Sequence, residues 1–393
     1  VAAACAYFAW QNGCQAALMA PTELLAQQHQ RTMETLLAGT GLRVGLLVGS
    51  MTAAQKRDCR AALAAGALDL IVGTHALLSE GVSFRRLGLV ITDEQHRFGV
   101  DQRAALAAKS GEKDRPHVLV MSATPIPRTL ALMIYGDLDL SVIDQLPPGR
   151  TPVATYLIRE DKRARLYAFV RKQVAQGRQV YIVCPAVDQE DPEGLKAAEQ
   201  YGRQLQEEVF PDLRVGIVHG KQKARDKQGV MAAFAAGEVD VLVSTTVIEV
   251  GVDVPNASLM VVEDADRFGL SQLHQLRGRV GRGEHPSYCV LLSDNRNELT
   301  RKRLKTLAST TDGFAIAEED LKLRGSGDFF GARQHGLPQL KLASLEGGMR
   351  LLHQAQAAAQ EVLARDPNLT WEEHAPLRRR VEQLFRENRD IFN

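Results

Sequence analysis

The stretch that decides the fold is Leu89-Val90-Ile91-Thr92-Asp93-Glu94-Gln95-His96, in which an apolar strand ends abruptly in two carboxylates. In a parallel sheet, the carboxyl ends of the strands face the crevice that binds ligands. An Asp at that point can hold a water of a hydrated Mg²⁺. The adjacent Glu can orient or deprotonate an attacking water. The alternative interpretation is a solvated acidic start of a helix.

Similar apolar runs lie on both sides of this stretch and alternate with helical patterns. In the first third, the helical patterns include Glu23–Leu37 and Ala53–Ala65, and Val1–Ala9 is read as the body of another helix. Buried runs that alternate with helices indicate a parallel sheet covered on both faces. The predicted strands of this part are Ala16–Met19, Val44–Val48, Leu70–Val72, Leu89–Thr92 and Val118–Met121.

A proline-rich segment, Pro147–Pro152, interrupts the alternation, and its three prolines and glycine predict an interdomain linker. The alternation then restarts, which predicts two α/β domains at 1–147 and 148–298. Residues 299–345 are predicted as helix and glycine-rich loop, and 346–393 as a helical C-terminal segment. The predicted strands of the second domain are Val153–Ile158, Val180–Cys184, Val215–Val218, Val239–Ser244, Leu259–Val262 and Tyr288–Leu292.

Bulk composition excludes several classes of protein. The 393 residues are 45% hydrophobic and 24% charged with a formal net charge of +1, so a DNA-binding site would have to be a local patch. No apolar run is long enough to span a membrane. The odd, scattered cysteines predict buried reduced thiols rather than a disulfide framework. They are Cys5, Cys14, Cys59, Cys184 and Cys289.

Two further strand ends carry hydroxyl groups. Ser122-Ala123-Thr124-Pro125 follows one strand, and its hydroxyls can either hydrogen-bond to Asp93 or His96 or simply cap a helix. In the second domain, Ser244–Pro255 offers hydroxyls that can bind a DNA phosphate. Gly251 and Asp253, in the same segment, can lie near the ribose and γ-phosphate of a nucleotide.

Three arginines and two glycines lie within Gln275-Leu276-Arg277-Gly278-Arg279-Val280-Gly281-Arg282. Guanidinium groups suit a phosphoryl group in transfer, because they make planar bidentate contacts and stay charged. An arginine supplied across a cleft can stabilise the charge of a transition state. The alternative is a basic turn with exposed arginines.

Taken in order, six motifs resemble those of superfamily 2 helicases: Ala20–Leu24, Gly73–His75, Asp93–His96, Ser122–Thr124, Thr245–Pro255 and Gln275–Arg282. The resemblance implies two RecA-like domains with ATP and Mg²⁺ between them. Its implied catalytic residues are Asp93, Glu94, Arg279 and Arg282, with Asp93 holding Mg²⁺ through water. The residues implied to bind ATP or couple its hydrolysis are Gln95, His96, Ser122, Thr124, Gly251, Asp253 and Gln275.

Three stretches resemble the RecG family of branch-migration helicases more closely: Arg97–Arg103, Pro125–Leu130 and Asp320–Gly336. The last is similar to the translocation motif that this family shares with the transcription-repair coupling factor; without the family, it reads as a glycine-rich surface loop. The implied partners are branched duplex DNA and single-stranded DNA-binding protein, for a monomer in the bacterial cytoplasm at the nucleoid. The implied DNA-binding residues are Thr22, Gly49, Thr74, His75, Arg128, Thr245, Thr246, Arg324, Gly325, Arg333 and Gln334.

The family's phosphate-binding Gly-Lys-Thr loop does not occur in the sequence, and it is expected immediately before Val1. We therefore expect the chain to be a piece of an ATP-dependent DNA helicase that does not hydrolyse ATP by itself. Two alternatives stay open. One is a translocase like the transcription-repair coupling factor, and the other is a non-catalytic nucleic-acid-binding module.

Overall fold

The computed structural model describes residues 1–94, 98, 106, 109, 115–122, 141–143, 145, 151–185, 199–245, 254–320 and 348–387. The chain divides into two compact units. The first contains residues 1–124, 150–268 and 275–294, and the second contains 125–149, 269–274 and 295–393. We call residues 1–122 the N-terminal lobe and residues 151–294 the C-terminal lobe; of the latter, 269–274 are counted with the second unit.

The N-terminal lobe is built on a five-stranded parallel sheet with the order β2-β3-β1-β4-β5. Its central strands β1, β3 and β4 are almost entirely buried, which explains why they read as continuous apolar runs rather than as alternating patterns. The strands are β1 Gln15–Met19, β2 Val44–Leu47, β3 Leu70–Gly73, β4 Leu87–Thr92 and β5 His117–Val120.

Three helices pack against this sheet: α1 Ala2–Gln11, α2 Glu23–Leu36 and α3 Ala53–Ala64, and a 3-10 turn follows at His75–Leu78. The α2 helix begins at Thr22, whose hydroxyl accepts a hydrogen bond from the Leu25 amide. The α3 helix begins with a capping box, in which Thr52 and Gln55 satisfy each other's backbone amides. These hydroxyl and amide side chains fix where both helices begin, shortly after the ends of β1 and β2.

The C-terminal lobe is also built on a parallel sheet, here of six strands in the order β6-β11-β10-β7-β9-β8. The strands are β6 Ala154–Ile158, β7 Gln179–Val183, β8 Val215–Val218, β9 Val241–Ser244, β10 Ala257–Val262 and β11 Tyr288–Leu292. The helices are α4 Arg163–Ala175, α5 Ala224–Ala235 and α6 Leu270–Arg277. Shorter helical turns lie at Glu160–Lys162, Leu205–Val209 and Ala265–Arg267.

The described part of the second unit is helical. It contains α7 Glu298–Ser309, helical residues 313–320, α8 Gly348–Arg365, a short turn at Glu372–His374 and α9 Ala375–Glu387. Buried Asp366 accepts hydrogen bonds from Thr370, the Trp371 amide and His374, which fixes the turn between α8 and α9. No helix in the described ranges is both long and apolar enough to cross a membrane.

The structure confirms the predicted α/β fold class. Every predicted strand is present within two residues of its expected bounds, and the predicted helical segment 346–393 contains α8 and α9. The domain limits at 147, 298 and 345 stay predictions; residues 147–150 of the expected linker and 321–345 of the expected loop lie outside the described residues.

All five cysteines are free thiols, as predicted, but the expectation that all are buried is wrong for Cys5, Cys14 and Cys59, which are half-buried. Cys184 and Cys289 are buried, and burial raises the pKa of each thiol to about 12. A thiol that stays protonated is a poor nucleophile. These two cysteines therefore serve as small apolar residues of the C-terminal core.

Candidate functional site

The predicted site residues of the N-terminal lobe follow the ends of its strands. Since all five strands are parallel, these ends lie along one edge of the sheet. Backbone hydrogen bonds continue the pairing beyond the strands: the Asp93 amide donates to Met19, and the Met121 amide donates to Thr92. The residues brought to this edge are Thr22, Gly49, Thr74, His75, Asp93, Glu94 and Ser122.

Asp93 is held at this edge by two hydrogen bonds. Its Oδ1 accepts from the Glu94 amide at 2.9 Å, and its Oδ2 lies 2.7 Å from His29 Nε2. An ionised carboxylate only accepts, so the imidazole donates this second bond. The Asp93 side chain is 19% exposed. Each oxygen has a further lone pair, so the carboxylate can still accept from water.

The sequence analysis did not single out His29. It lies on α2 between buried Ala26 and Met33, at spacings of three and four residues, so all three share the face that packs on the sheet. A polar residue in such an apolar stripe is the signal that could have indicated it. Its position links α2, which begins at Thr22, to the carboxylate at the end of β4.

Glu94 has a left-handed backbone conformation with φ 52°. Such a conformation costs a residue with a side chain roughly 1–3 kcal/mol and tends to occur at functional sites. It turns the chain sharply after β4, so that consecutive carboxylates leave the strand in different directions. Strain at this residue agrees with its predicted catalytic role, which stays a prediction.

The donor set fits a hydrated magnesium ion. Mg²⁺ keeps several of its waters and binds proteins through one or two carboxylates together with substrate phosphates. Asp93 supplies one such carboxylate with lone pairs to spare. The described residues contain no group of three or more His, Cys, Asp or Glu side chains that could hold a metal ion.

The loop after β2 is tied to the start of α2. Glu23 Oε1 accepts from the Ser50 amide at 2.9 Å, and a Cβ at Gly49 would lie 2.7 Å from that same oxygen. Lys56 Nζ donates to the Gly49 carbonyl at 2.6 Å. Only glycine fits here without displacing Glu23, so Gly49 and Thr22 belong to one connected surface.

Thr74 and His75 differ in exposure although they are neighbours. Thr74 is 2% exposed, and its hydroxyl has no hydrogen-bond partner among the described residues. His75 is exposed. A buried hydroxyl without a partner costs about 1–3 kcal/mol. Thr245 of the C-terminal lobe is equally buried, so both predicted phosphate contacts lie beneath the surface of their lobes.

The arginine-rich segment begins on α6. Arg277 is 4% exposed, and burial lowers the pKa of its guanidinium, so this arginine belongs to the interior of its lobe. Arg279 is half-buried and Arg282 is exposed, with Arg282 Nε donating to the Gly278 carbonyl at 3.2 Å. Gly281 has φ +78°, which favours glycine and turns the chain between the two.

A polar cluster at the end of β10 was missed by the sequence analysis. Arg163 makes two hydrogen bonds of 2.9 Å to the Glu263 carboxylate, and the Tyr201 hydroxyl donates to Glu263 at 2.7 Å. Burial and the adjacent Glu263 raise the pKa of Tyr201 well above its usual range, so the phenol stays a donor. Residues 100 apart in sequence form this pair, so local patterns could not predict it.

Several predicted site residues lie outside the described residues. They are Gln95, His96, Thr124, Arg128, Thr246, Gly251, Asp253, Arg324, Gly325, Arg333 and Gln334. The predicted coupling residue Gln275 is described and lies half-buried on α6. No finding on the described residues tests the roles predicted for any of these side chains.

Comparison with known proteins agrees with this arrangement. Residues 1–133 match the DEAD/DEAH box helicase family, and residues 161–284 match the helicase conserved C-terminal domain. Residues 310–391 match domain 3, C-terminal, of the ATP-dependent DNA helicase RecG. Over these three stretches, the chain resembles the ATP-dependent DNA helicase RecG. This confirms the resemblance that the motifs indicated.

Two curated relatives show the extent of the match. The chain is 51% identical over 377 residues to the ATP-dependent DNA helicase RecG of Synechocystis sp., covering 96% of the chain and 45% of that relative. It is 47% identical over 378 residues to the Bacillus subtilis RecG, covering 96% of the chain and 55% of the relative. The chain thus spans about half the length of the RecG proteins it matches.

A solved RecG structure, described as bound to a three-way DNA junction, superimposes with a TM-score of 0.70 at 46% identity and covers 86% of the chain and 44% of that structure. The yeast protein Dbp5, solved with RNA and ADP BeF3, gives a TM-score of 0.55 at 17% identity and covers 79% of the chain and 81% of that structure. The second likeness concerns the fold alone, namely two RecA-like lobes.

Proposed function

We propose that the protein containing this chain is an ATP-dependent DNA helicase and double-strand DNA translocase that remodels branched DNA, including forks and Holliday junctions. The observation that carries the proposal is the Asp93–Glu94 pair at the carboxyl end of β4, in a chain that resembles RecG. The match of residues 310–391 to the RecG domain favours this function over that of a transcription-repair coupling factor.

In the proposed reaction, Asp93 holds Mg²⁺ through water, and Mg²⁺ when bound neutralises charge on the phosphates of ATP. His29 keeps the Asp93 carboxylate oriented by its hydrogen bond to Oδ2. Glu94 orients the attacking water and accepts its proton. Gln95, His96, Ser122, Thr124, Gly251, Asp253 and Gln275 bind the nucleotide or couple its hydrolysis to movement.

Arg279 and Arg282 stabilise the charge of the transferring phosphoryl group in this proposal. We expect Arg279→Ala to lower ATP turnover on the order of 10³-fold, by analogy with other arginine fingers. DNA binding should survive, because the phosphate contacts to DNA are proposed elsewhere. Unchanged turnover, measured by phosphate release at saturating ATP, would refute the role of Arg279.

Contacts with DNA are proposed to be made mainly to its phosphates, which position the protein without specifying sequence. The proposed residues are Thr22, Gly49, Thr74, His75, Arg128, Thr245, Thr246, Arg324, Gly325, Arg333 and Gln334. The buried hydroxyls of Thr74 and Thr245 require a local opening before they can donate to a phosphate. Single-stranded DNA-binding protein as a partner and a monomeric state complete the proposal.

The test is ATPase activity of the longest polypeptide that the gene encodes, which we call the full-length protein, and of the 393-residue chain. Both are assayed without DNA, with linear duplex and with a three-way junction. We expect strong stimulation of the full-length protein by branched DNA, and no hydrolysis by the chain alone. Turnover that does not respond to DNA would refute the helicase function and leave an ATPase with another substrate.

A further inference from the structure

The α7 helix, Glu298–Ser309, has two contrasting faces. It begins at Asn297, whose side chain accepts from the amides of Leu299 and Thr300. Leu304 and Leu307 are buried, and their spacing of three residues sets the inner face of the helix. The cap and the buried side fix the position of the helix backbone from which the outer side chains extend.

The outer face of α7 is strongly basic. Arg301 and Lys305 are exposed, and neither forms an ion pair within the described residues. Lys302, beside them, is bound to Glu319 at 3.1 Å and is thereby partly neutralised. From 296 to 309 the sequence has five Lys or Arg residues and one acidic residue, Glu298. The charge of this surface is therefore local, since the whole chain carries only +1.

The basic side chains line a groove of about 620 Å³ whose lining also contains the hydroxyls of Thr306 and Ser309. Both hydroxyls donate to carbonyls of their own helix, so their oxygens remain able to accept from water or a bound group. Among the described residues, the lining includes one carboxylate, Glu298, and no aromatic side chain. Protein interfaces usually bind through aromatic anchors, so this surface suits a polyanion better than a protein partner.

The spacing of the free cations matches a nucleic-acid backbone. Arg301 and Lys305 are four residues apart on one face, which separates them by about 6 Å along the helix axis. Phosphates of one DNA strand advance about 3.4 Å along the duplex axis at each step. Because successive phosphates also turn about the duplex axis, two charges at this distance can contact adjacent phosphates of a single strand.

We propose that the outer face of α7 binds the phosphodiester backbone of duplex DNA, through Arg301 and Lys305 with Arg296 at the edge of the groove. None of these three residues is among those proposed above to contact DNA. It rests on the proposed function, because it assumes that DNA is the substrate. The contacts carry no sequence information, as is usual for phosphate contacts.

The experiment compares two charge-matched double variants of the full-length protein. R301Q/K305Q removes the two cations of α7. R165Q/K172Q removes one exposed arginine and one exposed lysine from α4, where neither forms an ion pair among the described residues. Equilibrium binding to a fluorescent duplex and to a three-way junction is measured over a range of salt concentrations.

For R301Q/K305Q, we expect the slope of log affinity against log salt to become shallower by about 1.8, which is 0.9 for each lost phosphate contact. R165Q/K172Q should keep the wild-type slope. Arg301→Lys should keep it as well, because a phosphate contact needs the charge and not the guanidinium. ATP turnover without DNA should be equal in all variants, which excludes misfolding as the cause.

A wild-type slope for R301Q/K305Q, in a protein whose ATPase is stimulated by DNA, would overturn the α7 site and leave the proposed function intact. Loss of binding to poly-glutamate without a change in the DNA slope would assign the surface to an acidic protein instead. Failure of the wild-type full-length protein to bind DNA would overturn both proposals. Each of these three results changes a different measurement. Either proposal can therefore be refuted independently of the other.

Discussion

The two lobes share a scaffold down to individual contacts. The strand order β2-β3-β1-β4-β5 of the N-terminal lobe reappears as β8-β9-β7-β10-β11 in the C-terminal lobe, which adds β6 at its edge. Arg43 binds Asp69 in one lobe with the same set of hydrogen bonds that Arg214 makes to Asp240 in the other. Glu94 and Asp264, each two residues beyond equivalent strands, both have left-handed backbones.

The difference lies in what holds the acid that follows the equivalent strands β4 and β10. In the N-terminal lobe, His29 is the single side-chain partner of Asp93 among the described residues, and 19% of the Asp93 side chain is exposed. In the C-terminal lobe, Glu263 is bound by the Arg163 guanidinium and the Tyr201 hydroxyl, and 9% of its side chain is exposed. The Asp93 carboxylate can therefore accept a hydrated cation, whereas the Glu263 carboxylate is already bound by side chains of its own lobe.

The largest expected effect is a difference in ATP turnover between variants of Glu94 and Asp264. We expect Glu94→Gln in the full-length protein to lower ATP turnover on the order of 10³-fold, within the 10²–10⁴-fold range for general-base catalysis. Asp264→Asn should leave turnover within about threefold, because Asn tolerates a left-handed backbone as well as Asp does and no role in hydrolysis is proposed for Asp264. Turnover is measured with saturating ATP and DNA.

A large loss in Asp264→Asn with an unchanged Glu94→Gln would reverse the assignment of the two lobes. Equal losses in both variants would mean that the lobes contribute alike to hydrolysis. DNA affinity, measured alongside, should be unchanged in both variants, since neither residue is proposed to contact DNA.

The second-largest expected effect is on the stability of the C-terminal lobe. Arg163→Met leaves Glu263 charged and nearly buried, which costs about 3 kcal/mol for a pair of this kind. Hydrogen exchange in β7 and β10 should accelerate on the order of 100-fold, since 1.4 kcal/mol is tenfold. Exchange in β1 and β4 of the N-terminal lobe should not change.

The matched rescue for this variant is R163M/E263Q, which removes the buried charge and keeps an acceptor for the Tyr201 hydroxyl. Protection of the C-terminal sheet should largely return in the double variant. If it does not, the loss in Arg163→Met comes from packing of the long side chain and not from the unpaired carboxylate.

The third effect tests whether His29 positions Asp93. Loss of a side chain that orients a metal-binding carboxylate typically weakens metal binding 10- to 100-fold. We expect His29→Ala in the full-length protein with bound nucleotide to weaken Mn²⁺ binding, measured by electron paramagnetic resonance, about tenfold. His29→Gln retains an N–H donor and should recover part of this affinity. Equal Mn²⁺ affinity in wild type and His29→Ala would show that Asp93 needs no such partner.

How much of the fold and of the candidate site could be predicted from sequence depends on how far apart in the sequence the interacting residues lie. Continuous apolar runs predicted all eleven strands, because strands buried on both faces of a parallel sheet leave that local pattern. The strand-end position of Asp93 followed directly. His29 and Arg163 did not, because their partners lie 64 and 100 residues away and only folding brings them together. The buried states of Thr74 and Thr245 were missed for the same reason.

The smallest effect should be equal in the two lobes and tests the part of the scaffold that they share. Partial burial raises the pKa of Asp69, but the Arg43 hydrogen bonds outweigh it, so that pKa lies below the usual value. For Asp240, the Arg214 hydrogen bond dominates and also lowers the pKa. A carboxyl group with a lowered pKa in the folded state contributes stability above its unfolded pKa of about 3.9.

That contribution is lost as the pH falls from about 4 through the lower folded pKa, where the carboxylates take up protons. Asp69→Asn and Asp240→Asn should therefore each reduce the urea midpoint of unfolding slightly at pH 7 and leave it unchanged at the acid end of the range. Both pairs have an exposed arginine, and exposed pairs contribute little. A clear difference between the two variants would mean that the repeated contact supports one lobe more than the other. The two lobes would then share the geometry of this contact but not its contribution to stability. They would differ in their scaffold as well as in the residues that hold Asp93 and Glu263.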